Sequence, residues 1–438
     1  MGEREQYASA ATAELVHGGQ ARRLNARARP FSRRVYSPRG GCGDPPRTSR
    51  SGSAAAFALA LAALTLAGCG GEPVEVVKAR HAMDTEVTVR VVAPSDEVGR
   101  QWLALAWAEM DECINYLDAH RDDSHVARIN KAAGLWQVEV HPLVTTCLAA
   151  AKEVYDETDG AFDPTVGPLL ELWRKAAETN RLPTDDEIAQ ARALVGMDML
   201  EMLVATVQRP LGELDGAPPG APPPTPDELP KMVHSVGIRK GMRLDLGGIA
   251  KGYIAGRMAR RLEQAGAAAG LVAAGGDVYA FGVRPESLVA KGGDRRWGVG
   301  VQDPRSPDDR SRLYTAIRLK DQAVDTSGHT QRGFTVAGQR FSHIIDPRSG
   351  RPVDRRLASV TVVAKDPALS DALATAVAVL GVTEGMALIE DLVDVECLLL
   401  EMAPAGASVE GDAETKGPPP LIAHRSSGFA AMEYDPNE

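Results

Sequence analysis

His343 lies in the stretch RFSHIIDPRSGRPV, residues 340–353, beside an Asp-Pro turn at Asp346 and Pro347. An imidazole is the side chain that takes up and releases protons near neutral pH, so it can serve as a general base. Taken alone the stretch also reads as a strand end followed by ordinary turn chemistry. In LSDALATAVAVLG, Asp371 and Thr375 stand four apart, which on a helix puts both side chains on one face. A carboxylate and a hydroxyl are hard oxygen donors of the type Mg2+ accepts while keeping waters and substrate phosphates as its other ligands. The same pair would arise from an Asp placed in a helix first turn to suit the dipole. Four loops set glycine beside a polar or charged residue: GAFDPT (160–165), DLGGIAKG (245–252), AAGGD (273–277) and DTSGHT (325–330). Glycine lets backbone approach a ligand closely, and the N–H groups of a helix start attract phosphate. Lys251 is placed to meet an anion there. None of the four is a Walker loop or a dinucleotide G-x-G-x-x-G.

The elements that would position these residues follow from periodicity. Residues 74–93 alternate as two strands around a turn near His81 to Thr85. Residues 96–118 form an amphipathic helix with Trp102, Leu105, Trp107, Met110, Ile114 and Leu117 inward. Helices are expected at 142–157, begun by Pro142, and at 184–195, where Thr184 and Glu187 form a capping box. After a strand, DLGGIAKG opens a further helix; several short strands occupy 296–363, a helix 370–381, and a helix then a strand 384–402. Strand pairs with separate helices favour α+β over a regular βαβ series. The Pro/Gly-rich stretch 209–230 is expected to be a surface insertion, and the polar residues 404–438 a flexible tail.

Composition narrows the function. Of 438 residues, 49 are basic and 59 acidic, a net charge of −10, and aromatics make up 5%. That excludes the basic field and the stacking platforms of a nucleic-acid-binding protein. Residues 54–68, AAAFALALAALTLAG, follow Arg47 and Arg50 and are too short for a comfortable membrane span, which is the layout of a secretory signal peptide. The run closes in LTLAGCGG, which resembles a bacterial lipoprotein box, with Cys69 the residue to be lipidated. Residues 1–53 are expected to be disordered, or an extension from a start site set too early. Cys42 would leave with the signal. The remaining Cys113, Cys147 and Cys397 have no metal-ligand spacing; one disulfide or three buried thiols are both open.

In chain order, HAMDTEVTV, DSHVARIN, GAFDPTVGPLLELW, DLGGIAKGYI, AAGGDVYAFG, DTSG, SHIIDPRSGRP and SDALATAVAVLG resemble the ApbE family of FAD:protein FMN transferases. The resemblance covers about residues 76–402 of a domain spanning 74–403. It implies an α+β, T-fold-like architecture of largely antiparallel sheets with packed helices and a cleft for FAD and Mg2+. It implies transfer of the FMN half of FAD onto a threonine of an acceptor protein, with release of AMP. The acceptors would be subunits of redox pumps of the Nqr and Rnf types, or another periplasmic flavoprotein, reached by a lipid-anchored protein facing the periplasm or cell exterior. By the same resemblance Met83, His120, Ala161, Phe162, Asp163, Asp245, Lys251, Gly275, Gly276, Asp277 and Ile345 bind FAD. The carbonyl of Gly248 with Asp371 and Thr375 holds Mg2+, and His343 is catalytic. Two positions depart from the family pattern: Ala274 stands where Asn usually precedes the glycines, and His120 where Tyr is frequent. Hydrolysis of FAD by water on the same scaffold, or flavin binding without catalysis, remain the alternatives.

Overall fold

The computed structural model describes residues 72–207, 231–328, 333–404 and 419–435. Cys69, the signal segment and the insertion at 209–230 fall outside them. Two β-strands, β1 (Val74–Ala82) and β2 (Thr85–Ala93), turn on Met83 and Asp84, both in the left-handed region. Helices α1 (Asp96–Leu117), α2 (His125–Lys131) and α3 (Pro142–Glu157) follow, with β3 (Val138–Val140) between the last two. Next come α4 (Gly167–Thr179) and α5 (Asp185–Arg192), then strands β4 (Glu201–Val207) and β5 (Lys231–Gly237). Helix α6 (Ala250–Gln264) leads to β6 (Gly270–Ala274) and β7 (Asp277–Phe281). Strands β8 (Trp297–Gln302), β9 (Leu313–Leu319), β10 (Gln322–Gly328), β11 (Gly333–Val336), β12 (Gln339–Ser342), β13 (Ile345–Asp346), β14 (Arg351–Pro352) and β15 (Leu357–Ala364) lead to α7 (Pro367–Asp391). The chain closes with β16 (Glu396–Met402), β17 (Leu421–Arg425) and β18 (Glu433–Tyr434).

The centre is an eight-stranded sheet in the order β1-β2-β6-β7-β10-β15-β16-β17, antiparallel at every pairing. Both of its faces are covered, so β15 is buried at every residue, as a strand between two layers must be. The alternation sorts side chains into two cores. Val360 and Val362 join Cys397, Leu399 and the buried residues of α1, α6 and α7 on one face. Val363, Leu398 and Leu400 join Trp297, Ile317 and Phe429 on the other, under a small sheet of order β18-β9-β8. A third, smaller cluster of Leu169, Trp173, Ile188 and Ile345 lies under α4 and α5.

Helix α7 is apolar enough, by length and composition, to cross a membrane. Here it is a core helix, buried at Asp371 to Ala374 and Ala376 to Ala378, and its helical geometry breaks at Gly381 (φ 76°). The capping box at Thr184 and Glu187 is present as expected. The expected flexible tail requires correction. From residue 419 the chain adds β17 to the sheet edge, pairing Leu398 with Arg425 and Met402 with Leu421. Composition averaged over 404–438 conceals the short strand LIAHR and the apolar anchor Phe429, which is 0% exposed. Phe429→Ala should therefore lower the unfolding free energy by about 3–5 kcal/mol. Urea denaturation checks this; a residue in a loose tail would show no shift in midpoint.

Candidate active site

The loop DLGGI is fixed at both ends before it becomes α6. Asp245 N–H donates to the Pro164 carbonyl at 2.7 Å, and Asp245 Oδ1 accepts from Gly247 N–H at 2.8 Å. This joins DLGGIAKG to GAFDPT. In that second loop Phe162 N–H donates to Thr158 Oγ1 at 3.1 Å, and Asp163 Oδ1 accepts from Thr165 N–H (2.8 Å) and Thr165 Oγ1 (2.7 Å). Ala161, Phe162 and Asp163 are all buried.

Helix α7 packs on α6 so closely that a Cβ on Gly252 would lie 2.0 Å from the Pro367 carbonyl oxygen. Only glycine permits that approach. It lets Gly252 N–H donate to Asp371 Oδ2 at 3.0 Å. One turn along α7, Thr375 reaches Gly248: a Cβ there would meet Thr375 Oγ1 at 3.1 Å and Phe162 at 3.2 Å. Gly248 and Thr375 thus meet, with Asp371 one helical turn away on α7.

The sheet supplies more acid than expected. Asp277 opens β7 and Asp325 lies within β10; the antiparallel register that pairs Val278 with Val324 makes them cross-strand neighbours. Asp277, Asp325 and Asp371 each place a carboxylate oxygen within 4.8 Å of the others, and all three are buried. Lys251 forms an ion pair with Asp277 and approaches Asp371 Oδ1 at 3.5 Å. The ammonium expected to meet an anion is therefore held by carboxylates of the chain itself. Burial pulls Lys251 down, but Asp277 and Asp371 more than offset it, and the group stands above the ordinary lysine value. Burial raises Asp371 to about 6 against the pull of Lys251. Burial, with the charges of Asp277 and Asp371, pushes Asp325 well above the carboxylate range. No hydrogen bond reaches either oxygen of Asp325, the nearby Ser370 hydroxyl being given to the Val362 carbonyl at 2.9 Å. Sequence reading grouped Asp325 with glycine turns; the structure has it mid-strand, and the signal was an acid inside the apolar alternation of QAVDTSG.

The remaining residues are placed as follows. Met83 lies in the turn before Thr85, and the Gly275-Gly276 turn reaches that hairpin through Gly275 N–H to Glu86 O at 3.1 Å. His343 sits half-buried in the bend between β12 and β13. Ile344 beside it belongs to the main core, and Ile345 to the small cluster with Trp173. Ile345 is 4% exposed, so what it offers a nucleotide is chiefly main chain. His120 is exposed, its N–H bound locally to Asp118 at 2.8 Å. Ala274 is buried in the core. Cys113, Cys147 and Cys397 are buried free thiols, which settles the disulfide question for the described residues.

Three clustered buried carboxylates, one of them with neither oxygen hydrogen-bonded, are hard oxygen donors of the kind Mg2+ accepts, and Thr375 lies one helical turn from Asp371. The family model described as the ApbE family matches residues 83–399. The chain is 30% identical over 338 residues to the "FAD:protein FMN transferase" of Treponema pallidum (strain Nichols), covering 76% of this chain and 86% of that relative. It is 29% identical over 336 residues to the protein of the same name from Vibrio cholerae serotype O1 (strain ATCC 39541 / Classical Ogawa 395 / O395), covering 76% and 90%. Among solved structures, the apbe protein of Thermotoga maritima matches with a TM-score of 0.60 at 29% identity, over 83% of this chain and 100% of that one. The expected α+β fold is the fold found.

Asp163 allows a test of the loop. Burial raises it to about 6, opposed by the Thr165 hydrogen bonds. An acid raised on folding binds more protons folded than unfolded, so stability falls as pH rises from about 4 to about 6. At about 1.4 kcal/mol per pH unit, the loss is about 3 kcal/mol. Without nucleotide or metal, Asp163→Asn should flatten that slope in denaturation measured across the window.

Proposed function

This chain belongs to the ApbE family, and from that premise we propose that it transfers the FMN portion of FAD to an acceptor protein. It is a transferase with FAD as substrate. The observation that carries the reading onto its residues is the convergence of Gly248, Thr375 and Asp371 beside the buried GAFDPT loop.

We assign the metal site to the Gly248 carbonyl, Asp371 and Thr375, with Mg2+ as the ion. When bound, Mg2+ would neutralise phosphate oxygens and stabilise the departing phosphate. The chain's own residues do the rest. Asp245, the 161–163 loop and the Gly275-Gly276 turn hold the nucleotide, with Met83 toward the flavin. His343 takes the proton from a threonine hydroxyl of the acceptor. The threonine oxygen bonds to the FMN phosphorus, the diphosphate P–O bond breaks, and AMP leaves. Support for His343 is its place in a bend pinned by Ile344 and Ile345 in two different cores. Redox subunits of the Nqr and Rnf types fit the acceptor role, and Cys69 the role of a lipid anchor on the periplasmic or outer face of a membrane.

Incubation with FAD, Mg2+ and a candidate acceptor domain tests the reading, with covalent flavin read by in-gel fluorescence and free FMN by chromatography. Covalent flavin is expected; free FMN alone would mean water replaces the threonine. His343→Ala should retain FAD binding and slow single-turnover transfer by about 10²-fold or more. Transfer by the unaltered protein should quicken as pH rises, because the neutral imidazole is the active form. A slowing would assign His343 a cationic role instead.

Cys69→Ala should move the protein from the membrane to the soluble fraction of lysed cells. Unchanged fractionation would remove the anchor from this reading.

A further inference from the structure

Asp325 is the residue that neither the fold nor the transfer chemistry so far explains. It is 1% exposed and sits at the centre of the sheet, paired with Val362 of β15 on one side. On the other side its cross-strand neighbour is a second acid, Asp277. Val362 belongs to the main core, so an apolar side chain would suit the Asp325 position sterically. A buried carboxylate without a donor costs several kcal/mol, and like charges directly opposite one another across strands add to that cost. Neither Asp325 oxygen has a hydrogen bond, while its neighbour Thr326 is satisfied by Thr361 at 3.0 Å.

Charge accounting gives the missing partner. Asp277, Asp325 and Asp371 carry three negative charges when ionised, and Lys251, paired with Asp277 and close to Asp371, supplies one positive charge. The remainder, −2, is the charge of one divalent cation. Lys251 contacts two of the three acids and leaves Asp325 without a donor. The three carboxylates are within 4.8 Å of one another, close to the spacing of oxygens that share one small ion.

We propose that Asp325 supplies a second carboxylate to the cation site, joining Asp371 in holding a divalent metal beside the Lys251–Asp277 ion pair. This rests on the assignment of Asp371 as a Mg2+ ligand. It extends that site by an acid supplied from the sheet rather than from the α6–α7 contact.

The test uses the purified protein freed of metal by chelation, then titrated with Mg2+ by calorimetry without FAD. Asp325→Asn keeps the side-chain shape and supplies an amide that can donate to Asp277 or Asp371. It should weaken Mg2+ binding by about 10-fold or more, the scale on which metal sites respond to loss of a supporting carboxylate. In EDTA the same variant should melt at a higher temperature than the unaltered protein, since it removes an unpaired buried acid. The rise in melting temperature on adding Mg2+ should shrink. Asp371→Asn serves as the reference. If it loses Mg2+ binding while Asp325→Asn binds as the unaltered protein does, Asp325 is not a ligand and the Asp371 assignment stands. If the unaltered protein takes up no Mg2+, both fall. Failure of Asp325→Asn to fold in EDTA would show that the carboxylate supports the fold itself, and would also overturn the proposal.

Discussion

Three buried acids and one half-buried ammonium at a single place constrain everything around them. Two like charges about 4 Å apart repel by about 4 kcal/mol even at an effective dielectric near 20. Such a cluster persists only where the surrounding backbone cannot relax to separate its members. Each acid is held by a different element. Asp277 heads β7, Asp325 is locked in the middle of β10, and Asp371 is fixed by the Gly252 N–H across the α6–α7 contact. Lys251 is carried by the first turn of α6, one residue before that glycine. Moving any of them requires breaking a strand register or parting two helices in contact.

The layering makes that rigidity possible. A sheet covered on both faces leaves no side free to bend toward water, and its central strands have no exposed edge to slip along. The outer core around Trp297, Ile317 and Phe429 is apolar. It keeps the far face dry and stiff, so that the helix face can carry charge. Of the glycine loops, DLGGIAKG leads into α6, GAFDPT joins α3 to α4, and AAGGD turns between β6 and β7.

Much of this was legible in the sequence. The alternation of 74–93, the amphipathic period of α1, the Thr184–Glu187 cap and the ordered motifs each record a local rule, and local rules survive in a single chain. The pair Asp371 and Thr375 was readable because helical spacing is fixed. Asp325 was not, because its meeting with Asp277 depends on register between strands separated by β8 and β9. The tail was misread for a related reason: LIAHR becomes a strand only because β16 offers it an edge. The acids that hold Lys251, Asp277 and Asp371, lie far from it in sequence and so could not be read beside it. Ile345, which the resemblance implies as a nucleotide contact, has its side chain in the small core with Trp173 and so offers its main chain.

The segment around His343 has a mechanical consequence. Ile344 is anchored in the large core and Ile345, the very next residue, in the small one beneath α4 and α5. The histidine therefore sits at a fulcrum between two packed bodies. The imidazole is thus joined through its two neighbours to both clusters, while Asp371 lies among the buried residues of α7 in the large one. The imidazole and the acid cluster are thus mounted on different packing units.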